Sequence, residues 1–255
     1  MHLYIIRHAE SANNELYATT NSSLGRHADP PLTERGHRQA QAVARYLAAR
    51  PAAPLGMATE SLRRHAQRHN RGGFDLTHLY CSLMVRAVVT GGYIAGATGL
   101  PLMAWPEIHE RGGLHNEDPA TGEALLIEGP GRAFFETTYP GLILPDTLGE
   151  VGWWSRPRET PEEFSPRARA VLAELLARHG DSDDRVGLVT HGGFFQSLMI
   201  AFFERTLGCP VPDTLRPLGF GLSNTGVTHI EIGEYGPRVH YVNTVEHLSD
   251  DLLSG

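Results

Sequence analysis

The sequence predicts an α/β fold, and three observations carry that expectation. The chain has 255 residues, a length that one α/β domain with its own core can fill. Short strand-like runs at residues 3–6, 78–81 and 186–190 are too brief for helices. Helical patterns follow them, giving the strand-then-helix alternation of a layered α/β protein.

Taken in order, residues 3–6 read as a buried strand ending near Arg7, so the polar residues after it stand at the strand's C-terminal end. Beyond a loop with Asp29, Pro30 and Pro31, apolar positions at Ala40, Val43, Ala44 and Leu47 have helical spacing, and Thr33 supplies an N-cap for a helix reaching Arg50. Residues 51–77 change character. Pro51, Pro54, Gly56, Gly72 and Gly73 surround the basic centre LRRHAQRHNR, which predicts an insertion or lid with one short helix. Residues 78–81 form the second strand, and residues 86–97 a helix closed by Gly99 and Pro101. Residues 111–160, rich in Gly and Pro, predict a second excursion over the sheet. Thr160-Pro161-Glu162-Glu163 has the form of a capping box with Pro at the first helical position. Pro166 predicts a turn before the main helix, which runs to His179 and stops at Gly180. Residues 186–190 are again a strand, ending in His191-Gly192-Gly193 before the apolar stretch 194–203. Two alternating runs, 226–232 and 238–245, flank Gly236-Pro237 as a hairpin at the sheet's edge. With no internal repeat or low-complexity tract, a single domain over residues 1–255 is expected, with insertions near 51–77 and 111–160.

Hydrophobic residues make up 41% and charged residues 20%, which excludes the signature of disorder. A formal net charge of -7 argues against nonspecific nucleic-acid binding, because that mode rests on a basic face; any bound anion must meet a local basic pocket. Cys81 and Cys209 are too few for a disulfide framework and lack metal-ligand spacing, so both read as reduced, buried thiols. No run of about 18 apolar residues occurs, so no membrane span is expected. The N-terminal MHLYIIRHAES meets an Arg-His pair too soon for a signal peptide, and the cytoplasm is the expected compartment.

His8 and His191 each follow a short apolar strand directly and have small residues beside them. In open α/β sheets the ligand crevice lies outside the carboxyl ends of the strands, so both can face one pocket. Arg7 and Arg86 are the natural anion holders, since a guanidinium binds phosphate oxygens with a planar fork and stays charged. Arg7 follows Ile5 and Ile6, and Arg86 lies in the apolar SLMVRAVVT; either position demands an anion or an acid partner.

Four segments then carry a family resemblance. Arg7-His8-Ala9-Glu10-Ser11, with Asn14 shortly after, is similar to an Arg-His-Gly motif. Leu32-Thr33-Glu34-Arg35-Gly36-His37-Arg38-Gln39-Ala40 is similar to a Leu-Thr-x-x-Gly-x-x-Gln-Ala helix start, residues 82–90 to a Ser-x-Leu-x-Arg-Ala-x-x-Thr segment, and Val189-Thr190-His191-Gly192-Gly193 to a second-histidine motif. In this order they resemble the histidine phosphatase superfamily, branch 1, which includes the cofactor-dependent phosphoglycerate mutases. The resemblance implies a three-layer α/β/α sandwich with a mostly parallel central sheet, a phosphohistidine intermediate, no metal and no cofactor. It implies that His8 is the nucleophile, that Arg7, Arg86 and His191 hold the phosphoryl group, and that Asn14 and Gly192 contact substrate. Ala9 departs from the family's usual Gly, so a methyl group must fit there. The chemistry agrees: imidazole attacks when neutral, and cations stabilise the charge on the phosphoryl oxygens.

A leaving alkoxide needs a proton from a carboxyl group. Pro106-Glu107-Ile108-His109-Glu110-Arg111-Gly112-Gly113 offers two candidates: Glu110-Arg111 resembles the family's Glu-Arg element and is preferred, while Glu107 stays open because Glu-Ile-His also occurs in phosphatases of this type. His65 and His69 lie four apart, but no third zinc ligand with suitable spacing is evident. Together with Arg63, Arg64 and Arg68 they read as a solvated surface, or as a basic lid that attracts an anionic substrate. Trp153 and Trp154 either wall the substrate or fasten the excursion to the body.

The leading reading is a metal-independent phosphomonoesterase acting on a small phosphorylated metabolite. Its alternatives are a cofactor-dependent phosphoglycerate mutase and a catalytically silent phosphate-binding protein of the same fold. The expected partner is a small phosphorylated substrate, with neither nucleic acid nor membrane, and the oligomeric state is left open, a homodimer being one option.

Overall fold

The structure is a computed structural model that describes residues 1–50, 69–70, 72–118, 121, 123–211, 219–234 and 236–255. In chain order its elements are β1 (His2–Arg7), α1 (Ala12–Thr20), α2 (Glu34–Ala48), β2 (His78–Cys81), α3 (Val85–Thr98), β3 (Leu102–Ala104), a 3-10 turn (Pro106–Ile108), β4 (Asn116–Glu117), β5 (Ala124–Leu125), α4 (Arg132–Thr138), β6 (Leu142–Ile143), α5 (Pro161–His179), β7 (Arg185–Thr190), α6 (Gly192–Leu207), β8 (Val227–Gly233), β9 (Gly236–Thr244) and a last 3-10 turn (Asp250–Leu252). Among the described residues, seven strands make one sheet in the order β6-β3-β2-β7-β1-β8-β9. The first five run parallel; β8 pairs antiparallel with β1, and β9 with β8.

Strand alternation sets the layers. Leu3 and Ile5 of β1, Tyr80 of β2, and Val186 and Leu188 of β7 pack on one face with α5 and α6, including Val171, Leu175, Phe195 and Leu198. Tyr4, Ile6, Leu79, Cys81 and Val189 point to the other face, against Val43, Ala44 and Leu47 of α2 and Ala87, Val88 and Ile94 of α3. Both faces are covered, as parallel strands require, and the result is the expected three-layer α/β/α sandwich with a mostly parallel sheet. No helix among the described residues is long and apolar enough to cross a membrane.

The helix ends follow from local chemistry. Thr33 caps α2, its hydroxyl accepting the Gly36 N–H at 3.0 Å. Gly99 ends α3 in the left-handed region at φ 75°. Pro166 does not divide α5, contrary to expectation; the helix is continuous over Pro161–His179. The missing N–H would have served the carbonyl of Glu162, an exposed residue whose carbonyl is open to solvent, so the lost bond costs little. Cys81 is buried as expected but Cys209 is exposed, because it lies just past the end of α6. Residues 51–68, with the basic centre through Arg68, lie outside the described residues.

Candidate active site

Parallel pairing brings three strand ends level. Arg7 pairs with Thr190 and Cys81 with Val189, so His8, Ser82 and His191 follow three neighbouring strands at the same edge of the sheet. The backbone of His8 is held from several sides. Its N–H donates to the Thr190 carbonyl at 2.9 Å, the Asn224 amide donates to its carbonyl at 2.9 Å, and the Thr225 N–H donates to the Arg7 carbonyl at 3.1 Å. The next two N–H groups, Ala9 and Glu10, donate to Thr90 Oγ1 at 3.1 Å and Gln39 Oε1 at 2.7 Å. The Ala9 methyl is fully buried beside Leu32 and Ala40, so it fits on the helix side of the loop.

His8 is 3% exposed. Its Nδ1 lies 2.7 Å from the Ala9 carbonyl, which fixes the proton on Nδ1 and leaves Nε2 as the base; Arg86 Nε donates to that Nε2 at 3.2 Å. Burial, and then the charges of Arg86 and Arg7, hold the His8 imidazole well below its ordinary pKa of 6.5, so it is neutral. His191 lies with its ring centroid 5.0 Å from that of His8. Ser82 Oγ is 2.6 Å from His191 Nε2; with the hydroxyl donating, the proton sits on Nδ1, a buried donor with no partner among the described residues. Burial and Arg86 keep His191 neutral too.

The two arginines differ. Arg86 has an acid partner in Asp29, whose carboxylate lies 3.4 Å from Nη1 and also accepts the Val85 N–H at 3.1 Å. Burial pushes the Asp29 carboxyl up, and Arg86 and the Val85 N–H oppose that. Arg7 donates through Nη1 to the Leu222 carbonyl, while its buried Nε has no partner among the described residues. Burial lowers both guanidinium pKa values; Glu110 opposes this at Arg7, and Asp29 and then Glu110 oppose it at Arg86. A Cβ placed at Gly192 would sit 3.7 Å from Arg7 Nε, so the first turn of α6 adjoins the same space. Asn14 lies at the start of α1 and turns its Oδ1 to Ser11 N at 3.1 Å and Asn224 Nδ2 at 3.4 Å.

The two carboxyl candidates separate clearly. Glu110 Oε1 accepts N–H bonds from Arg111 at 2.7 Å and Phe194 at 2.9 Å, and Oε2 accepts from Gly193 at 3.1 Å. It thus lies on the N-terminus of α6, two residues from His191. Any Cβ at Gly193 would approach Glu110 Oε1 to 2.4 Å, so this contact requires glycine. Glu107 is exposed on the 3-10 turn, and its carbonyl accepts from Arg167. Arg167 also forks onto Glu159 at 2.6 and 2.7 Å and reaches the His109 carbonyl at 3.0 Å. Burial would raise the Glu159 carboxyl, but the bonds and charge of Arg167 hold it below the ordinary range. This buried pair fixes the turn that carries Glu110. Trp154 completes the support: it is buried, and its ring lies 5.1 Å from that of His109.

The geometry therefore brings together His8, Arg7, Arg86, His191, Gly192 and Glu110, with Asn14 at the margin. Sequence reasoning passed over Asp29, Ser82 and Asn224 as functional residues. The first two stood in segments already noted, and the demand of Arg86 for an acid partner was the available signal for Asp29. Asn224 lies far along the chain in a loop without a motif.

The fold is shared with solved structures, phosphatases among them. A mycobacterial glucosyl-3-phosphoglycerate phosphatase solved with vanadate is 20% identical, with a TM-score of 0.56 and coverage of 96% of this chain and 99% of its own. Phosphoserine phosphatase from Entamoeba histolytica is 19% identical at a TM-score of 0.54, covering 97% and 99%. YhfR from Bacillus stearothermophilus is 20% identical at 0.54, covering 96% and 98%. No curated protein sequence matches significantly. The sequence profile of the histidine phosphatase superfamily (branch 1) matches residues 3–70 and 136–245, well over half the chain, and the protein belongs to that superfamily.

Proposed function

We propose that the protein is a metal-independent phosphomonoesterase that works through a phosphohistidine on His8. The observation that carries this reading is the buried, neutral His8 with Nε2 as its base, set beside Arg86 and close to two buried nitrogens without partners among the described residues, Arg7 Nε and His191 Nδ1. Buried donors of that kind require an acceptor, and a phosphoryl group supplies three oxygens.

In this mechanism the His8 Nε2 lone pair forms the N–P bond as the ester P–O bond breaks. Arg7, Arg86, His191 and the Gly192 N–H hold the equatorial oxygens, with Asn14 at the edge of the pocket. Glu110 gives its proton to the leaving oxygen. Water then attacks phosphorus, Glu110 takes a proton from it, the N–P bond breaks and neutral His8 returns. Positioning matters as much as charge: Ser82 orients His191, Asp29 orients Arg86, and Asn224 holds the His8 backbone.

The relatives named above include phosphatases of glucosyl-3-phosphoglycerate and of phosphoserine, which supports a small phosphorylated metabolite as the substrate class. Rapid acid-free quench of the enzyme with radiolabelled substrate should trap an acid-labile phosphoenzyme that His8→Ala lacks, and excess EDTA should leave turnover of an aryl phosphate unchanged. A fully active His8→Ala protein, or loss with EDTA and rescue by a divalent ion, would overturn the proposal.

A further inference from the structure

The parallel strands have a second end, and there the chain gathers a different set of side chains. His78 is the first residue of β2, His179 the last of α5, and Asp184 precedes β7 by one residue. Pairing of His78 with Val186 places the start of β2 beside the start of β7, while the short turn after α5 returns the chain to the sheet at the same place. One ligand atom from each of the three lies within 4.8 Å of the others. His179 Nδ1 is 2.8 Å from one Asp184 oxygen, His78 Nδ1 is 3.9 Å from the other, and the two imidazole centroids are 4.6 Å apart. We propose that His78, His179 and Asp184 form a binding site for one divalent transition ion of the Zn²⁺ type, remote from the reaction centre.

The donor set fits that chemistry. Two imidazoles and one carboxylate make a borderline N, N, O set that suits Zn²⁺ with water in the fourth position. Tetrahedral bonds of about 2.0–2.1 Å place ligand atoms about 3.3 Å apart. The 2.8 and 3.9 Å contacts go to different Asp184 oxygens, and one ligand atom from each residue lies within 4.8 Å of the others, so side-chain rotations of about an ångström would close the three donors on one ion.

The surroundings fit as well. Tyr80 OH lies 3.1 Å from His179 Nε2, so when Nδ1 ligates, Nε2–H has an acceptor that fixes the ring. Thr77 Oγ1 is 2.9 Å from His78 Nδ1 and has the Arg185 carbonyl at 3.4 Å as an alternative acceptor for its hydroxyl. Asp184 is pinned through its N–H to Ser182 Oγ at 3.1 Å. The nearby Arg178 turns its guanidinium onto the Tyr80 and Trp105 rings and onto Glu174. His179 is buried, whereas the side chains of His78 and Asp184 are 33% and 27% exposed, which leaves a path for the ion from solvent.

The strands that separate the two ends are up to six residues long, so the cluster lies roughly 20 Å from His8, too far to touch a substrate there. An ion at this place would tie the turn between α5 and β7 to the start of β2, about a hundred residues earlier in the chain. It is a clamp on the fold, and it stands or falls independently of the proposed reaction.

Tag-free protein, stripped with chelator and dialysed, is titrated with Zn²⁺ in a calorimeter. The expected result is one ion per chain, a melting temperature that rises with Zn²⁺, and a tetrahedral absorption spectrum when Co²⁺ is substituted. His78→Ala and Asp184→Asn, at partly exposed positions, should each weaken binding at least tenfold and abolish the melting shift, while far-ultraviolet circular dichroism shows them folded. His8→Ala should bind Zn²⁺ as the wild type does. Absence of binding, binding indifferent to both variants, or stoichiometric loss of the ion in His8→Ala would overturn the site.

Discussion

Replacing Glu110 by Gln tests the acid directly, because the structure sets both parts of its cost. Glu110 holds three backbone N–H groups with two oxygens. Glutamine keeps one oxygen and turns an NH₂ group toward at least one of those donors. The unsatisfied N–H costs about 1–3 kcal/mol, which a domain of ordinary stability, about 5–15 kcal/mol, survives. The catalytic cost depends on the leaving group. General acid catalysis supplies about 10²–10⁴-fold, so alkyl phosphates should lose that much in kcat. Aryl phosphates leave with little protonation and should lose less than about tenfold by the same reasoning. The assay is kcat and kcat/KM over a series of esters of graded leaving-group pKa, with a urea melt of each protein. Glu110→Gln should give a steep dependence on leaving group, and the exposed Glu107→Gln the wild-type slope. Equal loss on every ester would assign Glu110 to structure alone, and the steep pattern in Glu107→Gln would refute the assignment.

Four further outcomes are expected. The depressed pKa of His8 means that kcat/KM stays level as pH falls to 6.5 and drops only in more acid solution; an acid limb above 6.5 that titrates the free enzyme would contradict this. His109 and His247 are lowered from 6.5 to about 4, chiefly by burial, so the unfolded chain binds protons first, and thermal melts should show stability that is present above pH 6.5 and lost as pH falls through 4. Gly113 has φ 65°, and a Cβ there would meet the Trp154 ring at 1.9 Å, so Gly113→Ala should cost about 2–5 kcal/mol in denaturant melts and slow alkyl phosphates by displacing the Glu110 turn; wild-type stability would refute the contact. Finally, on the proposed phosphatase reading water takes the phosphoryl group from His8, so phosphate release should exceed 3-to-2 phosphoglycerate interconversion even with 2,3-bisphosphoglycerate as primer, as a coupled assay would show.

The parts legible in the sequence were those where one residue's chemistry demands one local structure. Thr33, Gly99 and Thr160 marked helix ends, and the strand-end histidines marked the pocket edge. Helix α1 was missed because it buries no residue, so its apolar positions carry no period. Strands β3 and β6 are three and two residues long, too short for alternation to register, and pairing with a neighbour is what makes them strands. The site was read in the same way. Short motifs gave His8, Arg7, Arg86 and His191, whereas the partners Asp29 and Asn224 come from loops whose proximity is a property of the folded chain.

The first strand of the chain is an inner one. β1 lies between β7, which begins at Arg185, and β8, which begins at Val227. A ribosome therefore finishes the nucleophile's own segment long before either neighbour exists, and His2–Arg7 must wait with both hydrogen-bonding edges open. Pairings of such wide sequence separation pay their loop-closure entropy before they gain contacts, so they form slowly. Catalytic competence should then be among the last properties acquired in biogenesis, appearing when Asn224 and the β8–β9 hairpin close over the far edge of β1. Nascent chains that stall before residue 224 would carry the whole Arg7-His8 motif and still be inert.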